Sequence, residues 1–140
     1  MIKALIVEDN DGDFRLFQEI AKETDLDIEI DRAISIVEAG KKLKLSNYDV
    51  VFLDLQLTDT DGLDTIASFM QFKKEAGLNG SIKTVVLTSN EDWGLAKQAM
   101  KMGCKDYLNK KEMTAEDLKR SANFATYHLE LPRRRTAKKH

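Results

Sequence analysis

Short apolar runs alternate with longer segments of helical spacing along most of this chain, and that alternation limits the fold more than any other feature. ALIV (4–7), DIEIDRA (27–33), VVFL (50–53), TVVL (84–87) and DYL (106–108) have the length and residue types of strands. The first, third and fourth are continuously apolar, as parallel strands covered on both faces are. Between and after them, helical spacing runs from Asp13 to Thr24, Ser35 to Leu45, Leu63 to Ala76, Glu91 to Met102 and Ala115 to Leu129. Ser35 and Thr114 stand where N-caps belong, each with an acid three residues on, Glu38 and Asp117. This is a (βα)5 pattern. It predicts an α/β fold with three layers: a doubly wound, five-stranded parallel sheet, right-handed crossovers and helices on both faces.

The length of 140 residues suits one domain with a single substantial core. We expect that domain over residues 1–131 and a basic, disordered tail over 132–140. The tail, PRRRTAKKH, holds five basic residues and no acid, so residues 1–131 carry seventeen basic against twenty-four acidic side chains. An acidic body of this kind is not expected to bind DNA directly, whereas the tail suits phosphates or an acidic partner. No apolar run approaches the roughly 20 residues that span a bilayer. The start, MIKALIVEDN, lacks the pattern of a signal peptide, and the expected location is cytoplasmic with no membrane contact. The lone Cys104 reads as a small buried residue.

In open parallel sheets, ligands bind beyond the carboxyl ends of the strands. There, the first strand runs into Glu8 and Asp9, the third into Asp54, the fourth into Thr88 and Ser89, and the fifth into Asn109, Lys110 and Lys111. Taken singly, an acid after an apolar strand is ordinarily a turn residue or a helix cap. Together, three carboxylates, a hydroxyl pair and an ammonium converge on one rim. Clustered carboxylates repel unless a cation sits among them, and Mg²⁺ or Mn²⁺ with oxygen ligands answers that need. The hydroxyl and the lysine then suit a group with several anionic oxygens, such as phosphate.

The motifs IVEDN (6–10), FLDLQLTDTDG (52–62), VVLTSN (85–90) and DYLNK (106–110) resemble those of the receiver domain of two-component response regulators, over about residues 2–130. The resemblance implies a flavodoxin-like, CheY-like fold. It makes Asp54 the phosphoryl acceptor and places Mg²⁺ on Glu8, Asp9, Asp54 and the backbone carbonyl of Gln56. It makes Lys110 the lysine that pairs with the phosphoryl group, Thr88 the switch hydroxyl and Tyr107 the switch aromatic. The implied function is to take a phosphoryl group from a phosphohistidine on a sensor histidine kinase or phosphotransfer protein. The signal would leave through a surface of helix four, strand five and helix five. No catalysis is implied beyond the protein's own phosphorylation and dephosphorylation.

Two prolines common in that family are replaced, by Thr58 in the loop after the acceptor and by Lys111 after the lysine. A non-proline cis bond costs about 3 to 4 kcal/mol, which leads us to expect a trans Lys110–Lys111 peptide. Gln56 and Asn90 occupy positions that, in the family, tune the lifetime of the phosphoryl group. Two other readings compete. A pseudo-receiver would be a binding module without phosphorylation, but such modules normally lose an acid, the lysine or the hydroxyl. A phosphatase of the haloacid-dehalogenase type would match DLQLT, but it needs an acid where Gln56 stands and places its metal-binding acids after the lysine.

No DNA-binding module follows residue 130, so output is expected through a downstream protein target. On helix five, Leu118, Ala122, Ala125 and Leu129 share the core face, whereas Phe124, Tyr127 and Leu131 cluster nearly opposite. That second apolar stripe is a candidate interface, for a homodimer or for a partner protein, or else a set of scattered exposed aromatics. Trp93 is either a packing residue or a fluorescent reporter beside the site.

Overall fold

The computed structural model of the chain describes residues 1–78, 82–89 and 92–123. Five strands alternate with helices in chain order: β1 (Ile2–Val7), α1 (Asp11–Glu23), β2 (Ile28–Ala33), α2 (Ile36–Leu45), β3 (Val50–Asp54), α3 (Leu63–Glu75), β4 (Lys83–Thr88), α4 (Trp93–Lys101) and β5 (Asp106–Asn109). A fifth helix, α5, begins at 115 and is described to 123. The strands are all parallel and lie in the order β2-β1-β3-β4-β5. The chain winds outward from β1 in one direction to β2 and in the other through β3 to β5. Beyond the strand ends, the crevice between β1 and β3 is where such a sheet binds ligands.

The two-residue period of the strands sorts the core into two halves. Leu5, Val7, Val51, Leu53 and Val86 face α2, α3 and α4, packing against Ile36, Ala39, Leu43, Ile66, Phe69 and Ala99. Ala4, Ile6, Val50, Phe52, Val85 and Leu87 face α1 and α5, packing against Phe17, Ala21, Leu118 and Ala122. Every residue of β3 is buried, as its continuous apolar run requires. Gly40 lets α2 approach α3 closely, for a Cβ there would lie 2.8 Å from the Phe72 ring.

The helix starts follow their caps. Asn10 accepts from the Asp13 amide at 2.8 Å, so α1 begins at Asp11 rather than Asp13. Asp92 accepts from the Leu95 amide at 3.0 Å and caps α4, which begins at Trp93; the predicted start, Glu91, lies outside the described residues. Thr114 and Asp117 form a reciprocal capping box, with bonds of 3.1 and 3.0 Å. Ser35 caps α2 through the Glu38 amide at 3.0 Å. Its acid departs from the box, since Glu38 reaches back to the Ile34 amide at 3.1 Å instead of the Ser35 amide. The predicted α5 residues Ala125 and Leu129, the stripe Phe124, Tyr127 and Leu131, the tail 132–140 and Asn90 lie outside the described residues. Among the described residues no helix is long and apolar enough to cross a membrane.

Candidate functional site

At the carboxyl end of the sheet, acids leave the strands as continuations of buried backbone. Glu8 follows Val7 at the end of β1 and is only 1% exposed, and its amide still bonds the Ala33 carbonyl at 2.9 Å in the manner of a further sheet rung. Asp54 is itself the last rung of β3, opposite Leu87 of β4, and is 3% exposed. The sequence pattern placed that acid just beyond its strand; the structure places it inside the ladder, which holds its backbone as firmly as the sheet's own. Asp9 lies between exposed and buried, and one oxygen each of Glu8, Asp9 and Asp54 lie within 4.8 Å of one another.

Lys110 is the countercharge. Its amide bonds the Thr88 carbonyl at 2.8 Å just past β5, and its ammonium lies 2.7 Å from Asp54 Oδ2, 2.9 Å from Glu8 Oε1 and 2.8 Å from Asp13 Oδ2. The neighbouring Lys111 is exposed, its amide held by Asn109 Oδ1 at 2.9 Å. The Lys110–Lys111 peptide is trans, as is every described peptide. Lys110 therefore reaches the acids without the family's cis-proline.

The charges shift one another. Burial pushes the Glu8 carboxyl up to about 8; the Asp54 carboxylate beside it adds to the rise, and Lys110 opposes it. Burial alone would lower the pKa of Lys110, but hydrogen bonds to Asp13, Asp54 and Glu8 outweigh it and hold its pKa above that of an ordinary lysine. Three carboxylates with oxygens this close fit a hard divalent cation, which takes oxygen ligands and keeps water in its remaining positions.

The other predicted site residues lie on the same rim. The Gln56 amide donates to Asp54 Oδ1 at 3.0 Å, while the Gln56 side chain is exposed. Thr88 is the last residue of β4, 5% exposed and opposite Asn109 of β5. Tyr107 lies opposite Val86 on β5, half-buried, and packs against the core half that faces α4. It lines a groove of about 430 Å³ with Asp92, Trp93, Ala96, Lys97, Met100, Asp106 and Asn109. Trp93, 78% exposed, lies on the wall of that groove and is no core packing residue.

Sequence reasoning missed two members of this neighbourhood. Asp13 contacts Lys110, yet an acid in a helix's first turn is ordinary, since it complements the helix dipole. Its position four residues after Asp9, on the first turn after the acidic pair, was the available signal. Arg32, from the neighbouring strand β2, donates through Nε to the Glu8 carbonyl at 2.9 Å and braces the end of β1. That contact depends on the β1–β2 register and leaves no mark in sequence.

Comparison with known proteins agrees with this geometry. The family model described as "Response regulator receiver domain" matches residues 4–123. The chemotaxis protein CheY of Listeria monocytogenes is 29% identical over 110 residues, which cover 79% of this chain and 87% of that protein. Hybrid signal transduction histidine kinase G of Dictyostelium discoideum is 30% identical over 109 residues, 78% of this chain. The chain spans only 3% of that kinase's length and 6% of the length of a second hybrid kinase, B, from the same organism. Among solved structures, a response regulator receiver domain protein from Clostridium thermocellum superimposes with a TM-score of 0.75 at 23% identity, covering 94% of this chain and 98% of that one. The chain belongs to the receiver-domain family of two-component response regulators.

Proposed function

We propose that this receiver accepts a phosphoryl group on Asp54 from a phosphohistidine of a sensor histidine kinase or phosphotransfer protein. The observation that carries the reading is the pairing of a buried strand-end carboxylate, Asp54, with the partly buried Lys110 ammonium 2.7 Å away and an acid pair alongside. In the transfer, an Asp54 carboxylate oxygen forms a bond to phosphorus as the phosphorus–nitrogen bond of the phosphohistidine breaks. The products are an acyl phosphate and the free imidazole. The residues that would hold Mg²⁺ or Mn²⁺ are Glu8, Asp9 and Asp54, with the Gln56 carbonyl as the backbone ligand. The metal would supply positive charge against the anionic oxygens.

The rest falls to the chain's own groups. Lys110 offers the transferred group an ammonium that is fully charged at neutral pH, and the Gln56 amide orients Asp54 by its bond to Oδ1. Thr88 is the hydroxyl that turns to the phosphoryl oxygens, and Tyr107 follows it inward, altering the face of α4, β5 and α5 that a downstream protein reads. The groove beside Tyr107, with Trp93 on its wall, supports this part of the reading, because a change in Tyr107 changes its shape. The setting is cytoplasmic.

The test is intact-protein mass after incubation with Mg²⁺ and acetyl phosphate, for the wild-type chain and for Asp54→Asn. Addition of one phosphoryl group to the wild type and none to the variant is the expected result. No adduct on the wild type would leave a binding module that does not use phosphorylation. Continuous release of phosphate from many esters would point to a phosphatase instead.

A further inference from the structure

The loop after Asp54 lacks the family's proline, yet it is closed on itself. Gln56 and Asp61 pair across it as an isolated antiparallel bridge. The Leu57 amide bonds the Thr60 carbonyl at 3.0 Å, and the Gly62 amide bonds the Leu55 carbonyl at 2.7 Å. Gly62 has φ of 60°, a conformation that admits glycine at little cost. Thr65 adds its hydroxyl to the Leu55 carbonyl at 3.0 Å, and Leu57 is buried. What remains unheld by the loop itself is its tip, Thr58 and Asp59, where both residues are exposed.

The tip is held from outside. Asp59 Oδ1 accepts from the Ile36 amide at 3.1 Å and Oδ2 from the Val37 amide at 3.3 Å, the first two amides of α2. A helix leaves its first amides without intrahelical partners, and its N-terminus favours a carboxylate. Ser35 satisfies the third of them. The α2 N-terminus is thus shared between a cap from its own segment and a carboxylate from the loop 23 residues on.

We propose that Asp59 is a positioning residue for the phosphoacceptor site: by clamping the loop tip to α2, it fixes Gln56, whose amide holds Asp54. The inference rests on the reading above where it concerns Mg²⁺, since Gln56 is also the backbone ligand in that reading. Between Asp54 and the tip the backbone is continuous, and Gln56 is pinned at its amide by Asp54 and across the loop by Asp61. Freeing the tip loosens this hairpin, because its ordered residues then regain conformational entropy. The coupling is reciprocal: whatever fixes Gln56 also tightens the amides of Ile36 and Val37.

The experiment compares the full chain with Asp59→Ala, Asp59→Asn and Ser35→Ala, reading amide exchange at Gln56, Ile36 and Val37 without metal, and then Mg²⁺ affinity by titration. Ser35→Ala removes a cap from the same helix turn without touching the loop. Asp59→Ala is expected to speed exchange at Gln56 and to weaken Mg²⁺ binding by about 10-fold, in the range for residues that orient a metal's ligands. Asp59→Asn keeps one acceptor oxygen but turns an NH2 donor towards the second amide, so it should restore only part of both. Mg²⁺ should raise protection at Ile36 and Val37 in the wild type and not in Asp59→Ala. Ser35→Ala should lower stability while leaving Gln56 exchange and Mg²⁺ affinity at their wild-type values. Unchanged Gln56 exchange in Asp59→Ala, or equal loss in Ser35→Ala, overturns the proposal. A wild type that binds no Mg²⁺ and takes no phosphoryl group overturns the functional reading instead, and metal-free exchange at Gln56 still decides the role of Asp59.

Discussion

Two little-exposed lysines, Lys110 partly buried and Lys73 buried, lie at opposite ends of the sheet and have moved in opposite directions. Lys110, at the carboxyl end, is charged more firmly than a free lysine because Asp13, Asp54 and Glu8 accept its hydrogen bonds. Lys73, on α3 at the amino end, is 6% exposed and donates to the Ile82 carbonyl at 3.0 Å. Burial pushes its pKa down; the Cys104 sulfur opposes this, and the positive charges of Lys83 and Lys105 add to it. Burial is the largest single influence on both ammoniums, so burial does not explain the difference. The supply of carboxylates does. A site that handles anionic oxygens needs an ammonium whose charge is beyond question, and three acids make it so. At the other end, the chain tolerates an ammonium under mild duress.

Replacing each lysine by methionine tests that contrast. Lys110→Met leaves Glu8 and Asp54 buried with no cation, and breaking such a cluster from one side costs about 3 to 5 kcal/mol, read as a lowered urea midpoint. The same variant should take up phosphoryl groups about 100-fold more slowly, the scale for losing one preorganised donor, measured by the rate of mass increase. Lys73→Met should change stability at neutral pH by no more than about 1 kcal/mol, because the ammonium's desolvation and its one hydrogen bond roughly offset each other. It should also remove a pH dependence. The folded pKa of Lys73 lies below its ordinary value of 10.5, so between the two the unfolded chain binds more protons and stability rises with pH. In wild-type unfolding curves, that rise is present as pH approaches 10.5; in Lys73→Met it is lost. Equal costs for the two methionine variants would end the comparison. The smallest effect belongs to Asp13→Asn. This carboxylate is about a third exposed and screened by water, so its loss should cost about 0.5 kcal/mol. With one negative charge fewer at the rim, uptake from acetyl phosphate should rise rather than fall.

Much of this was legible in the chain. The strands were visible because parallel strands covered on both faces must be apolar throughout, as ALIV and VVFL are. The acids were findable because the rule about strand ends needs only those strands. Asp54 and Lys110 meet because their strands end on the same side, so their contact followed from topology. Two other contacts did not follow. Asp13 looks like any acid in a first helical turn, and Asp59 looks like any acid in a turn rich in Asp and Thr. What distinguishes them is a partner reached through space, 97 residues away for Asp13 and 23 for Asp59, set by packing of α1 and α2 that no local pattern encodes. Trp93 fell between two readings for a related reason: helical spacing identifies a face, but whether anything covers that face depends on neighbours.

The contact between Lys110 and Glu8 joins residues 102 positions apart, across β1, β3, β4 and β5 in their final order. Loop-closure entropy opposes so distant a meeting until the strands between have paired, so the constellation assembles with the last of the sheet rather than ahead of it. A chain that has misregistered or lost its fifth strand scatters the acids and their ammonium and has no acceptor chemistry to offer. If the chain takes up a phosphoryl group as proposed, that competence doubles as a certificate of completed folding, and a kinase would write its message only on molecules able to deliver it.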